Sequence, residues 1–356
     1  MSASIGRKTA LVVGALGIVG EALTRHLLSL DDWRAKGISR SAPAASSGWI
    51  HVPLDLTDAE ACRAAAGDAL ADVTHVFYCA RYSNPDPREE ARVNRAMLAN
   101  VLQPLVQQAG ALAHICLVHG TKWYGSHLGP YRTPAREDDP RHLGPNFYYD
   151  QYDDLLALQA DHGGWSWSTV RPHIVCSSSA GYPFNLVTLL GAYGSLCASR
   201  GLPLDFPGSE ACFRSISQAT DAGLLARAMV WAATTPACAN ESFNIINGDY
   251  FRWSGLWPRL AEFFGVPLGI VRPMSLTRAM ADAGPDWERI AAQHGLVDYP
   301  LPKLANWSFG DFLFSAGWDD MSSTIKSRRC GFAEVMDTEE SILQALADLR
   351  ARKIIP

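Results

Sequence analysis

"KTALVVGALGIVGEALTRHLL", residues 8–28, decides the fold. A short apolar run ends at Gly14. Gly17 and Gly20 follow at three-residue steps, and beyond them the apolar positions recur at helical spacing. The pattern predicts a strand that turns sharply into a helix. A strand-to-helix turn that receives a pyrophosphate must let the backbone come close, present free N–H groups and offer the positive end of a helix dipole. Glycines at these places serve all three needs. The basic pair Arg7-Lys8 ahead of an apolar run superficially resembles a secretory leader. The glycines inside the run favour the nucleotide turn instead.

The rest of the chain repeats the alternation. "WRAKGISRS", "GWIHVPLDLTD", "VTHVFYCA", "AHICLVHG" and "WSTVRPHIV" read as strands. "DAEACRAAAGDAL", "EEARVNRAMLANVLQPLVQQA" and the segment from "NFYYDQYDDLLALQ" read as helices between them. Strands that are apolar on both faces and alternate with helices predict an α/β fold, a doubly wound parallel Rossmann sheet. The pattern changes near residue 176. We expect residues 1–176 to form the nucleotide-binding domain, with 210–248 rejoining it. Residues 177–209 and 249–356 would then build a smaller, mostly helical substrate domain. "SAPAASSG" at 41–48 reads as a surface loop.

Composition narrows the function. The 356 residues carry a net charge of -5, are 48% hydrophobic and 19% charged. A soluble enzyme has this balance, and a nucleic-acid or anionic-membrane partner is not expected. No apolar stretch reaches the roughly 20 residues of a membrane span. The eight cysteines lie far apart with no metal-type spacing, as reduced thiols of a cytoplasmic protein do. No metal is expected, and a homodimer is possible.

The end of the second strand speaks to the nucleotide. NAD-binding turns usually carry an acid there for the ribose hydroxyls. Here Ser39, Arg40 and Ser41 stand in its place, with a guanidinium fork and two hydroxyls suited to a 2′-phosphate. NADPH is therefore expected. Asp55 and Leu56, after the third strand, are candidates for the adenine. Ile18, Val19, Pro172 and Ile174 are further candidate cofactor contacts.

Reductases of this fold place a Tyr at a helix start and a Lys four residues on. Here the residues four after Tyr148 and Tyr149 are Tyr152 and Asp153. A phenol, with a free pKa of about 10, becomes a useful acid near neutrality only beside a positive charge. Lys122, in "HGTKWY" after the fifth strand, can supply that charge from another direction.

These motifs carry a resemblance. "HGTKWY" at 119–124, "GPNFYY" at 144–149, "THVFY" at 74–78, "NRAMLANVL" at 94–102, "GLPLDFPGS" at 201–209, "FNIINGDYFRW" at 243–253 and the terminal "KIIP" are similar, in order, to the progesterone 5β-reductase and iridoid synthase family. These are atypical extended short-chain dehydrogenases that reduce the C=C bond of enones with NADPH. The resemblance implies Lys122 and Tyr149 as the catalytic pair, Tyr149 also touching the cofactor, and Tyr148 as a packing or pocket-edge residue. It points to Arg81, Tyr82, Tyr131, Asn185, Phe314 and Trp318 as candidate pocket residues. Departures occur: His119 and Gly120 precede Lys122 differently, Arg81 replaces an aromatic residue of plant members, and "GSHLGPYRTP" differs in detail. Three rivals stay open: carbonyl reduction, sugar-nucleotide epimerisation and a non-catalytic NADPH sensor.

Overall fold

The computed structural model describes residues 7–43 and 48–356. Residues 44–47 of the expected surface loop lie outside the described residues, as do the first six. Seven parallel strands form the central sheet: β1 (Lys8–Val13), β2 (Trp33–Ser39), β3 (Ile50–Pro53), β4 (His75–Tyr78), β5 (His114–Val118), β6 (Ser166–Pro172) and an edge strand, Glu241–Ile245. Their spatial order runs from that edge strand through β6, β5, β4, β1 and β2 to β3. The chain winds outward from β1 to β3, then crosses back to β4. The reversal leaves a crevice at the carboxyl ends of β1 and β4, where such sheets hold ligands.

Helices cover both faces because the central strands β1, β4 and β5 are buried on both. α1 (Ile18–Leu28) and the helix Ala222–Thr234 pack one face, where Leu23, Leu27, Phe77, Leu224 and Met229 are buried. α2 (Ala59–Gly67), α3 (Pro87–Gln108) and α4 (Phe147–Asp161) cover the other, with Leu11, Val76, Leu98, Leu102 and Leu155. Val76 and Phe77 fall in different cores because successive strand residues point to opposite faces.

A third core gathers α5 (Leu186–Ser199) and the C-terminal helices around Phe206, Trp253, Trp257 and Phe314. Edge-to-face ring pairs knit it, among them Phe206–Trp257 at 4.9 Å and Trp253–Phe314 at 5.1 Å. The sixth predicted strand divides after Pro172: Ile174–Cys176 leaves the sheet and pairs with Ala219–Asp221. "LPLDFPGS" supplies a strand, Leu204–Phe206, parallel to Leu268–Val271. The helix Glu210–Arg214 buries Cys212 in the third core. The chain turns back toward the sheet only from about residue 219. All eight cysteines are unpaired thiols. Among the described residues no helix is long and apolar enough to cross a membrane.

Candidate active site

The Gly14–Gly20 turn is built for close approach. Gly14 has φ +85°, and a Cβ there would lie 2.9 Å from the backbone nitrogen of Ala80, just past β4. A Cβ on Gly20 would lie 2.2 Å from the Gly14 carbonyl oxygen. Gly17 caps α1 without any side-chain bond. The first N–H groups of the helix, Ile18 and Val19 among them, are thus left to another acceptor. A cradle that a side chain would fill, at the positive end of an 11-residue helix, fits a dinucleotide diphosphate. Gly17, Ile18, Val19, Pro172 and Ile174 line one cavity of about 420 Å³ that opens from this turn.

The residues expected to meet the adenosine lie at or just past the tips of β2 and β3. Ser39 Oγ donates to the Ser41 carbonyl at 2.8 Å and lies 2.9 Å from His51 Nε2. Arg40 is exposed, and its guanidinium makes no hydrogen bond among the described residues. One Asp55 oxygen accepts from the backbone and hydroxyl of Thr57 at 2.9 and 2.8 Å, and these bonds hold the carboxyl below the usual range. Leu56 is buried beside it, and its carbonyl accepts from Asn100.

At the reaction end, β5 runs into a single 3₁₀ turn, Thr121–Tyr124, closed by Gly125 at φ +82°. This turn carries Lys122. Asn146 ties it to the next helix: its oxygen accepts from Tyr148 N at 3.1 Å, capping α4, and its amide donates to the Lys122 carbonyl at 2.8 Å. One side chain thus fixes the start of α4 relative to the lysine turn. Lys122 Nζ lies 3.5 Å from Glu90 Oε2, and Arg81 donates to Glu90 Oε1 at 2.9 Å. Burial lowers the Lys122 pKa, the Arg81 charge lowers it further, and Glu90 opposes both.

The two tyrosines exchange the places expected of them. Tyr148, not Tyr149, lines the cavity with Lys122 and Arg81. Its hydroxyl has no hydrogen-bond partner among the described residues. A Cβ on Gly120 would come within 3.2 Å of that hydroxyl, so glycine keeps its approach open. Burial raises the Tyr148 pKa and the Arg81 charge partly offsets this, so the group is a neutral donor near pH 7. Tyr149 points the other way. Its hydroxyl donates to the Trp123 carbonyl and accepts from His142 N, and its ring lies 4.9 Å from the Arg141 guanidinium carbon. Successive helix residues are about 100° apart, so one faces the cavity and its neighbour does not.

Several expected pocket residues serve packing instead. Asn185 caps α5 and donates to the carbonyls of Ser177 and Ser179 at 2.8 and 2.9 Å. Phe314 is enclosed by Phe206, Trp253 and Trp257. Tyr131 donates to Asp320 and stacks on Tyr124. Tyr82 is held by Asn94 through its backbone, and neither it nor Trp318 lines the cavity. Asn185→Ala should therefore lower stability by about 2–3 kcal/mol, from a lost cap and two orphaned carbonyls. Urea denaturation measures this. Lost turnover with unchanged stability would instead return Asn185 to the pocket.

Sequence reasoning missed the outer wall. Tyr182, Phe184, Phe309 and Phe312 line the cavity from the C-terminal unit, and Phe184 and Phe312 are exposed. The signal was present as closely spaced aromatics in "GYPFN" and "WSFGDFLF". His119 was noted only as a departure. It is buried against Trp123 and Tyr148, both its ring nitrogens lack a partner among the described residues, and burial drives its pKa far down, leaving a neutral imidazole.

The seven-stranded parallel sheet, the glycine turn and the C-terminal helical unit define an enzyme of the short-chain dehydrogenase/reductase superfamily, in its extended form. Solved structures share this fold. A UDP-glucose 4-epimerase from Thermotoga maritima in complex with UDP-glucose aligns with TM-score 0.69 at 16% identity over 96% of this chain and 99% of that one. A superfamily member from Agrobacterium tumefaciens with bound NAD aligns with TM-score 0.67 at 15% identity over 97% and 98%. Residues 55–356 match the PRISE-like Rossmann-fold domain, and the chain belongs to that family. It is 34% identical to an (S)-8-oxocitronellyl enol synthase of Camptotheca acuminata, over 98% of this chain and 94% of the relative. It is 33% identical to a 3-oxo-Delta(4,5)-steroid 5-beta-reductase of Arabidopsis thaliana, over 98% and 93%. A short chain dehydrogenase of Penicillium aethiopicum is 30% identical over 98% and 99%.

Proposed function

We propose that the protein is an NADPH-dependent reductase of the C=C bond of α,β-unsaturated carbonyl compounds. The observation that carries this reading is the Tyr148 hydroxyl, without a hydrogen-bond partner among the described residues, in the cavity that Lys122 and Arg81 also line. Relatives named as a steroid 5-beta-reductase and as 8-oxocitronellyl enol synthases support the same class of chemistry.

A reduced nicotinamide cofactor, held by the Gly14–Gly20 turn, would supply the hydride to the β-carbon of the enone. The C=C electron pair then moves toward the carbonyl, charge gathers on its oxygen, and water protonates the α-carbon. Tyr148 donates a hydrogen bond to that oxygen. Lys122, kept in place by Glu90 and by the Asn146 bond to its own carbonyl, adds a positive charge to the same cavity, and the Arg81 charge favours the phenol as a donor. A donor aimed at a developing oxyanion stabilises the transition state by about 3 kcal/mol. His119, neutral and without a partner among the described residues, lines the same cavity.

Arg40 is the proposed holder of the 2′-phosphate, with Ser39 and Ser41 beside it. No acid among these residues repels that group. Arg40→Ala should raise the KM for NADPH about tenfold and leave that for NADH nearly unchanged, because a charge-assisted contact contributes about 1.5–3 kcal/mol when partly buried and less when exposed. Steady-state kinetics with the two cofactors checks this. The activity itself is tested by NADPH oxidation with 2-cyclohexen-1-one. A saturated ketone product supports the proposal, and an allylic alcohol places the chain among carbonyl reductases.

A further inference from the structure

We infer that Arg81 is a specificity-determining residue that binds a carboxylate on the substrate, so that the preferred substrates are enones carrying an acid group on an otherwise apolar body. The inference rests on the proposed enone reduction. It deepens that reading by naming the substrate class.

Four observations carry it. First, Arg81 and Lys122 both line the cavity, and among the described residues no Asp or Glu lines it with them. Glu90, behind them and 9% exposed at its side chain, contacts both cations. One carboxylate therefore serves two cations, and His119 is neutral, so the cavity keeps an excess positive charge. Second, the Arg81 guanidinium has five N–H donors. Its one hydrogen bond among the described residues is the 2.9 Å bond to Glu90. Bidentate carboxylate recognition needs two parallel donors, and donors remain for it. Third, Arg81 is pre-set. Asn94 Nδ2 donates to the carbonyl of the next residue, Tyr82, at 2.7 Å, and Asn94 Oδ1 accepts from Tyr82 N at 2.9 Å. These two bonds clamp the strand end to α3, and Glu90, one turn earlier on the same helix, fixes the guanidinium. A preorganised cation loses little entropy on binding. Fourth, Arg81 stands near enough to both Tyr148 and Tyr182 to influence their ionisation. It lines the same cavity as Tyr148 and as the aromatic wall of Tyr182, Phe184, Phe309 and Phe312. An apolar body laid on that wall, with its carbonyl at Tyr148, has Arg81 within reach of a side substituent.

Binding separates this inference from the catalytic reading. The probes are saturated ω-benzoyl carboxylates of three chain lengths and their methyl esters, titrated calorimetrically into the protein loaded with NADP⁺. The acid of at least one length should bind about 10- to 100-fold more tightly than its ester, as expected for a charge-assisted bond out of water. In Arg81→Met that ratio should fall to about one. In Arg81→Lys, which keeps the charge and loses the fork, a few-fold preference should remain. NADP⁺ affinity should be the same in all three proteins. Equal binding of acid and ester at every length, or a preference that survives Arg81→Met, would overturn the inference. So would a loss of NADP⁺ affinity in Arg81→Met, which would assign Arg81 to the cofactor. Turnover of the unsaturated counterparts reads the enone proposal separately: acid-selective binding without NADPH oxidation would remove that proposal and leave the carboxylate site in place.

Discussion

Tyr148→Phe should lower kcat about 10²- to 10³-fold with little change in cofactor affinity. It removes the one hydroxyl aimed at the developing oxyanion, and such donors contribute about 3–4 kcal/mol to the transition state. Tyr149→Phe is the control. Its hydroxyl is engaged by the Trp123 carbonyl and His142 N, away from the cavity. Losing those bonds should cost about 1–2 kcal/mol of stability and leave kcat within a few-fold. Steady-state kinetics and urea unfolding on both variants decide which tyrosine acts. A large kcat loss in Tyr149→Phe with none in Tyr148→Phe would reverse the assignment made from the geometry.

Lys122→Met should lower kcat/KM by about 10²-fold or more, the lower range for a positioned group that supports proton transfer. Its pH behaviour follows from the direction of its shift. Burial and the Arg81 charge put its folded pKa below the ordinary lysine value. Activity needs the ammonium, so the alkaline limb of the wild-type profile should fall at a lower pH than an exposed lysine would give. Stability runs the opposite way. The unfolded chain binds this proton more tightly, so the ammonium is a cost to the folded state at neutral pH, relieved as pH rises through the folded pKa. Lys122→Met should therefore not lower the melting temperature at pH 7. A stable variant with full activity would remove Lys122 from the site, and a lower melting temperature would mean that the contact with Glu90 outweighs burial.

The fold was legible because its signals are local. Residues 8–28 hold a complete strand, turn and helix, and two of the three glycines answer a steric need measurable in the structure: Gly14 against Ala80, Gly20 against Gly14. Lys122 was legible as a cavity residue too, since it is the single lysine between β5 and β6. The tyrosine was not, because the choice between adjacent residues is a rotation of one helix by about 100°. Tyr148 shares a helical face with Leu155, which is fully buried. Tyr149 instead heads a face with Asp153, which pairs with Arg141, and the exposed Leu156. The pocket wall was least legible. Asn185 and Phe314 look like ligand residues by type, yet a helix cap and an aromatic core use the same side chains. Only long-range packing tells them from Phe184 and Phe312, which stay exposed.

The most direct test of the central proposal follows a label. The protein is given 2-cyclohexen-1-one and NADPH deuterated at the transferable position of the nicotinamide, and the product is read by NMR. Deuterium at the β-carbon of cyclohexanone is the predicted result, strongly reduced in Tyr148→Phe. Deuterium on the carbinol carbon of an allylic alcohol would contradict it and show that the Tyr148–Lys122 site presents the carbonyl carbon to the cofactor.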